Sequence, residues 1–366
     1  MFSAQDCQWM AHALRLAEQG LYSSSPNPRV GCVLVADGNI VGSGWHQRTG
    51  EAHAEINALN EAGEAARGAT AYVTLEPCSH YGRTPPCAEA LIAAGIVRVV
   101  VAVADPNPQV AGAGSEKLRA AGIVVEIGLM ETEARGLNRG FFTRMTHGTP
   151  WIRSKTGMSL DGRTGLANGV SQWITGEASR LDVQHWRARS CVVLTGIGTV
   201  LADDPRLNVR EVKTDRQPLK VVVDSQLRTP FNAKILLNAQ GGKVLIYTAT
   251  SDRKKSAILE QGGASVCVLP SDNGRVDLNA VMRDLAQRGC NEVLVEAGST
   301  FNGALLRAGL VDELLLYIAP QLLGDVARGM AQLGELTNLD QRVNLKWQDV
   351  RQVGNDLRIL VKVENV

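Results

Sequence analysis

Residues 70–105, TAYVTLEPCSHYGRTPPCAEALIAAGIVRVVVAVAD, decide how the first half of the chain folds. TAYVTLE has the β-branched and aromatic content of a strand. CAEALIAAG has helical apolar spacing and stops at Gly95, and VRVVVAVAD is an apolar run of strand length. A strand, a helix and a strand in close succession imply a parallel pair with the helix crossing one face of the sheet.

The pattern extends both ways from this stretch. Upstream, MFSAQDCQWMAHALRLAEQG carries Trp9, Ala13 and Leu16 at helical spacing, and VGCVLVADGNIVGSG reads as two strands joined by an Asp37-Gly38 turn. HAEINALNEAGEAARG is helical. Downstream, SEKLRAAG is a helix, IVVEIG a strand, and a helical stretch runs from about Glu131 to Met145. The break at Gly148 and Pro150 places a domain boundary, giving expected domains of 1–146 and 147–366. The second half alternates again, with strands SCVVLTG, LKVVVD, KVLIYT, ASVCVL and EVLVEAG and helices DVQHWRAR, KKSAILEQG, LNAVMRDLAQRG and FNGALLRAG. It closes on a hairpin around Gly354-Asn355. Alternation of this kind implies largely parallel sheets with helices on both faces.

Composition narrows the functional classes. A chain of 366 residues exceeds the usual size of one hydrophobic core, and 45% hydrophobic with 20% charged residues is ordinary for a globular protein. Lys plus Arg (38) nearly cancels Asp plus Glu (37), which argues against a surface built for nucleic-acid backbones. The start has acidic residues and no basic-then-apolar order, so no signal peptide is expected, and no run is long and apolar enough to span a membrane. Seven scattered cysteines argue against a disulfide framework and for a reducing compartment, with the cytoplasm as the expected location. Cys32, Cys191 and Cys267 lie in strand-like runs and read as core; Cys78 and Cys87 do not.

His53-Ala-Glu55 opens a helix, Pro77-Cys78 follows a strand, and Cys87 opens the next helix. Three such ligands with an open fourth position suit catalytic zinc, expected at one per chain. Helix N-termini favour the thiolate form. Glu55, two residues after the histidine, is placed to shuttle a proton and is not a ligand; His-x-Glu with Pro-Cys and a second Cys is the zinc-deaminase signature.

Nucleobase deaminases usually separate the cysteines by two residues, whereas SHYGRTPP separates them here. With that insert, and with Pro26-Asn27-Pro28 ahead of Val30-Gly31, the first half resembles the deaminase domain of the bifunctional riboflavin-biosynthesis deaminase/reductases. The resemblance implies a cytidine-deaminase-like three-layer α/β/α domain. It also implies a diaminopyrimidinone substrate bearing a ribosylamino 5′-phosphate, and that Asn27, His46 and His80 hold the pyrimidine.

The second half lacks GxGxxG, so a standard dinucleotide fold is not indicated. Its glycine clusters, Gly196 to Val200 and Glu296 to Gly303, each follow a strand and can offer amides to phosphate. KTGMSLDGRTG, SQWITGEASRLDVQHWRAR, TGIGTVLADDPRLNVR, VVVDS and VEAGSTFNGALL are similar to the reductase domain of the same family. That likeness implies a dihydrofolate-reductase-like α/β fold using NADPH, and it extends from about Asp6 to Val363. It implies that Gly157, Trp173, Thr199, Asp203, Ser225, Gly298, Ser299, Thr300, Phe301, Asn302, Gly303 and Ala304 lie along NADPH. Lys155, Ser171, Arg187, Leu207, Arg210 and Glu296 would lie along the substrate.

Arginines such as Arg187 and Arg210 suit a sugar phosphate. Asp161 and Glu296 are acidic candidates for the proton donor of the reduction. Arg228, beside Ser225, is an expected partner for the extra phosphate of NADPH, on position alone. The expected partners are the small-molecule pyrimidine ribosyl phosphate and further copies of the chain in a dimer or tetramer, with no nucleic acid and no membrane. Two alternatives stand beside this reading: a tRNA or nucleic-acid deaminase with an appended domain, and a C-terminal half that senses nucleotides without chemistry.

Overall fold

The computed structural model describes residues 2–79, 81, 86–107, 111–237 and 242–364, and His80 and residues 82–85 lie outside them. The chain divides into two compact units, Met1–Gly148 and Thr149–Val366.

The first unit is a five-stranded sheet between two helical layers. Its strands are β1 (Gly31–Ala36), β2 (Asn39–Trp45), β3 (Thr70–Val73), β4 (Arg98–Val101) and β5 (Val124–Ile127), in the order β2-β1-β3-β4-β5. Its helices are α1 (Ala4–Glu18), α2 (Ala54–Ala62), α3 (Cys87–Ala93), α4 (Ala113–Ala120), α5 (Glu131–Leu137) and α6 (Arg139–His147). Side chains alternate across the strands: Cys32 and Leu34 join the apolar cluster beneath α2, α3 and α4, while Val33 and Val35 join that of α1, α5 and α6.

Two details depart from the sequence pattern. The sheet is mixed, because β1 pairs antiparallel with both β2 and β3; β3 docks against the first hairpin strand and not the second. The expected single helix after Glu131 is two helices. Asn138 interrupts it by exchanging two 2.8 Å hydrogen bonds with the Arg29 backbone, accepting from its N–H and donating to its carbonyl.

The second unit is built on nine strands. These are β6 (Trp151–Ser159), β8 (Val192–Gly196), β9 (Leu219–Val223), β10 (Val244–Thr248), β11 (Ala264–Val268), β12 (Glu292–Glu296), β13 (Glu313–Ala319), β15 (Asn344–Val353) and β16 (Asp356–Glu364). A small separate pair is formed by β7 (Arg163–Gly165) and β14 (Arg328–Gly329). The order is β11-β10-β9-β8-β12-β6-β13-β16-β15, parallel from β11 to β13 and antiparallel in the final hairpin. Packed on it are α7 (Glu177–Arg189), α8 (Ile197–Asp203), α9 (Arg253–Gln261), α10 (Leu278–Gln287) and α11 (Ser299–Arg307).

Strand β13, ELLLYIA, is absent from the sequence reading. It is buried on both faces between β6 and β16 and so shows no alternation. The glycine cluster after β8 is also more than a loop, since Ile197 to Asp203 form α8. Among the described residues no helix is long and apolar enough to cross a membrane.

Candidate active sites

His53 is the N-cap of α2, with extended backbone (φ −74°, ψ 166°), so its side chain sits at the open end of the helix two residues before Glu55. Glycines fix how closely this helix approaches the sheet. A Cβ on Gly44 would lie 2.4 Å from the Ala54 carbonyl oxygen, and one on Gly42 would lie 2.3 Å from that of Ala58.

The loop after β3 is held by Glu76, whose carboxylate accepts from the backbone N–H groups of Asp105 (3.2 Å), Gly112 (3.1 Å) and Ser115 (3.0 Å). This acid of the TLEPC motif therefore braces the loop. Cys87 is the first residue of α3. Its N–H donates to Cys78 Sγ at 3.4 Å, and the Ala88 N–H donates to the Cys78 carbonyl at 3.2 Å.

His53 Nδ1 lies 3.3 Å from Cys87 Sγ and 3.6 Å from Cys78 Sγ, and the three ligand atoms all fall within 4.8 Å of one another. Zinc bonds of about 2.0–2.1 Å to nitrogen and about 2.3 Å to sulfur, at tetrahedral angles, separate N from S by roughly 3.5 Å. The two observed separations bracket that value, so the donor set fits zinc. It is the sole such group of three among the described residues. Hydrogen bonds from the Cys87 thiol, His53 and the Cys87 N–H draw the Cys78 thiol far below its ordinary value. Glu55 is buried, and burial together with the charge of Cys78 raises its carboxyl to about 7.

His46 lies beside this centre, its ring edge-on to His53 with centroids 5.4 Å apart. Its Nε2 is 3.1 Å from Asn27 Nδ2 and its Nδ1 is 3.2 Å from the Ala52 carbonyl oxygen. An amide N–H only donates and a carbonyl only accepts, so Nε2 accepts and Nδ1–H donates: the ring is neutral with its proton on Nδ1. Burial favours the same state by lowering its pKa. Asn27 and His46 thus form one hydrogen-bonded pair, while His80 lies outside the described residues.

In the second unit a cleft of about 1070 Å³ opens at the carboxyl ends of the parallel strands, where ligands of open α/β sheets bind. Gly157, Trp173, Thr199, Asp203, Ser225, Gly298, Ser299, Thr300, Phe301 and Ala304 line it, as do Lys155, Ser171, Arg187, Leu207, Arg210 and Glu296. Two of the expected residues do not. Asn302 is buried, donating to the carbonyls of Ala297 and Met330, both at 3.2 Å, and Gly303 packs so tightly that a Cβ would lie 2.1 Å from the Gln332 carbonyl oxygen. Both hold α11 in place. At the mouth, Arg180 stacks 4.6 Å over the exposed ring of Trp173.

Glu296 organises the floor. Arg187 grips it through Nε (2.5 Å) and Nη2 (3.0 Å), and Lys155 Nζ lies 3.0 Å from its second oxygen. Burial alone would raise this carboxyl, but Arg187 and Lys155 outweigh burial and hold it well below the usual range. Arg187 Nη1 donates to the Asn208 carbonyl at 3.1 Å, so this guanidinium is engaged inside the protein.

Asp161 is likewise an acceptor. Ser159 and the N–H groups of Leu323 (3.2 Å) and Gly324 (2.8 Å) donate to it, and the Ser159 bond leads in holding its pKa down. These partners favour the charged form of both acids. Arg206, which the sequence reading passed over, lines the cleft near Arg210 with no side-chain partner among the described residues. No motif marks it; only its place two residues after Asp204, the C-cap of α8, brings it there.

The cleft also fits a nicotinamide dinucleotide. Helix α11 starts beneath it with Gly298 as N-cap and no side chain satisfying its first amides, and a Cβ on Gly298 would meet nothing within 4 Å. Open helix-end amides of this kind suit a diphosphate.

A metal-ligand triad with a buried carboxylate in one unit and a dinucleotide-sized cleft in the other define a zinc deaminase joined to a nicotinamide-dependent reductase. Residues 3–103 match the cytidine and deoxycytidylate deaminase zinc-binding region, and residues 150–359 match the RibD C-terminal domain. The chain is 50% identical over 366 residues to the riboflavin biosynthesis protein RibD of Escherichia coli K12, covering 96% of this chain and 98% of that one. It is 46% identical over 373 residues to RibD of Haemophilus influenzae, covering 98% and 97%. Among solved structures, RibD of Acinetobacter baumannii superimposes with a TM-score of 0.91 at 46% identity over 99% of both chains. A diaminohydroxyphosphoribosylaminopyrimidine deaminase/5-amino-6-(5-phosphoribosylamino)uracil reductase of Thermotoga maritima superimposes with 0.87 at 31% identity, over 98% and 99%. The chain belongs to the RibD family of riboflavin biosynthesis proteins: it is a bifunctional deaminase and reductase with zinc and NADPH as cofactors.

Proposed function

We propose that the first unit deaminates the ring of 2,5-diamino-6-(5-phosphoribosylamino)pyrimidin-4(3H)-one. The second then reduces the ribosyl side chain of the product to ribityl, giving 5-amino-6-(5-phosphoribitylamino)uracil. The observation that carries the reading is the convergence of His53 Nδ1, Cys78 Sγ and Cys87 Sγ around one point beside buried Glu55.

His53, Cys78 and Cys87 would hold the metal, and zinc bound there would make a water acidic near neutral pH. Glu55 would take a proton from water and return it to the departing amine, so that water is consumed and ammonia released. The Asn27–His46 pair presents the pyrimidine edge with fixed donors and acceptors, and His80 completes this group in the family pattern.

In the cleft, NADPH supplies hydride to C1′ of the opened ribosyl chain. The α11 end, with Gly298 to Phe301 and Ala304, would seat its diphosphate, and Gly157, Trp173, Thr199, Asp203 and Ser225 would hold the rest of it. Lys155 and Arg187 hold Glu296 as a fixed anion on the substrate side, with Ser171 and Leu207 beside it. Arg206, whose guanidinium has no partner among the described residues, and Arg210, which donates to Asn208 at 3.1 Å, supply the cationic groups for the sugar phosphate.

The deaminase domain spans 1–146 and the reductase domain 147–366, the protein acts in the cytoplasm, and it assembles as a dimer or tetramer. Incubating the purified protein with the diaminopyrimidinone ribosyl phosphate, with and without NADPH, tests the reading. Mass spectrometry should find the deaminated ribosyl product without NADPH and the ribityl product with it. Ring deamination that never proceeds to ribityl product would leave the second half of the proposal wrong.

A further inference from the structure

We infer that Arg275 and Arg228 form a two-armed clamp on the 2′-phosphate of NADPH, with Ser225 between them; this rests on the reductase reading above. Both arginines line the cleft, Arg228 from the loop after β9 and Arg275 from the loop before α10. Among the described residues neither guanidinium has a hydrogen-bond or ion-pair partner. Most other arginines around this cleft are engaged: Arg187 by Glu296, Arg180 by the Thr175 carbonyl (2.8 Å), and Arg210 by Asn208 (3.1 Å).

The two loops are joined and braced. Ser225 Oγ accepts from the Val276 N–H at 3.2 Å, the residue next to Arg275, which leaves the Ser225 hydroxyl hydrogen free to donate. The first loop is closed by buried Asp224, whose carboxylate accepts from the Thr229 N–H (2.7 Å) and hydroxyl (2.8 Å). The second is closed by Ser271, whose N–H (2.7 Å) and hydroxyl (2.8 Å) both donate to the Arg275 carbonyl, and by Asn273 Oδ1, which accepts from the Arg275 N–H at 3.0 Å. Lys255 reaches the same place, donating to the Gln226 carbonyl at 3.3 Å. Two free guanidinium groups and a hydroxyl on rigid loops, with a third cation behind them, form a receptor for a doubly charged phosphate monoester. A ribose hydroxyl would gain little from it.

The test is direct binding, by calorimetry, of NADP+, NAD+, 2′,5′-ADP and 5′-AMP to wild-type protein and to Arg275→Ala, Arg228→Ala and the double variant, each checked for an unchanged melting temperature. Each single variant should weaken NADP+ and 2′,5′-ADP by about tenfold and the pair by more, with NAD+ and 5′-AMP within about twofold of wild type. Arg275→Lys should recover part of the loss. Equal weakening of NADP+ and NAD+, or no weakening by Arg275→Ala, overturns the clamp. Wild-type protein binding NAD+ as tightly as NADP+ would instead overturn the reductase reading on which the clamp rests.

Discussion

The metal centre and the cleft put their chemistry in opposite places. In the first unit it sits in three donor atoms and one carboxylate, presented by two helix ends and the loop after β3, which are pinned by the close approach of α2 to β2 and by the Glu76 brace. In the second it is spread over the ends of five neighbouring strands and the loops between them, and its buried carboxylate, Glu296, is already held by Arg187 and Lys155 before any ligand arrives. The first site should therefore fail abruptly when one atom changes. The second should fail by degrees, through stability and affinity.

The sharpest break is removal of a ligand atom. Cys78→Ser or Cys87→Ser should drop bound zinc from about one per chain to near none, measured by elemental analysis, and abolish deamination while reduction of pre-deaminated substrate continues. Next, Glu55→Gln should keep its zinc and lose deamination by about 10³-fold, with the reductase rate unchanged; loss of both activities in a folded variant would merge the two sites into one.

In the cleft, Glu296→Gln leaves Arg187 and Lys155 facing each other across a neutral amide and should cost the second unit about 3 kcal/mol in chemical denaturation. The folded pKa of Glu296 is depressed, so its contribution is present above the unfolded value of about 4.3 and lost as pH falls through the folded one. The gap between wild type and variant should hold steady from pH 7 to 5 and narrow below about pH 4.

A smaller effect returns to the first unit. Gly44→Ala should push α2 off the sheet at a cost of about 2 kcal/mol and weaken zinc retention in a chelator challenge, sparing NADPH oxidation. The smallest is Trp173→Ala, which removes the ring under Arg180 and should raise the KM for NADPH a few-fold with kcat held, equivalent to about 0.5–1 kcal/mol.

The same contrast governs what could be read in the sequence. His53, Cys78 and Cys87 are legible because a metal demands particular donor atoms and residue type carries that demand, and Glu55 because it follows the histidine by two residues. The cleft has no such alphabet. Its glycine clusters resemble any strand-to-helix turn, and Asn302 and Gly303 look alike in sequence to their neighbours Ser299 and Ala304 but turn into the packing of α11. Whether Arg187 is free or engaged depends on Glu296, which lies more than a hundred residues away along the chain. The elements themselves were mostly visible. Among the exceptions are β13, whose apolar run has no period, α8, hidden in a glycine cluster, and the break at Asn138, which follows from a hydrogen bond to Arg29 that no local propensity encodes.

The position of β6 shapes how the protein is made. This strand is the first of its unit to leave the ribosome, yet it lies inside the nine-stranded sheet between β12 and β13, with Trp151 pairing to Glu292 and Arg153 to Glu313. While the intervening chain is synthesised, its edges have no partners, and its buried Arg153 has neither Glu292 nor Glu313 beside it. The first unit contains all of its own strands by Ile127 and can close early, during translation, whereas the second must wait for its last quarter. Nascent-chain folding should therefore proceed in two well-separated steps, and chaperone dependence should concentrate on the interval between them.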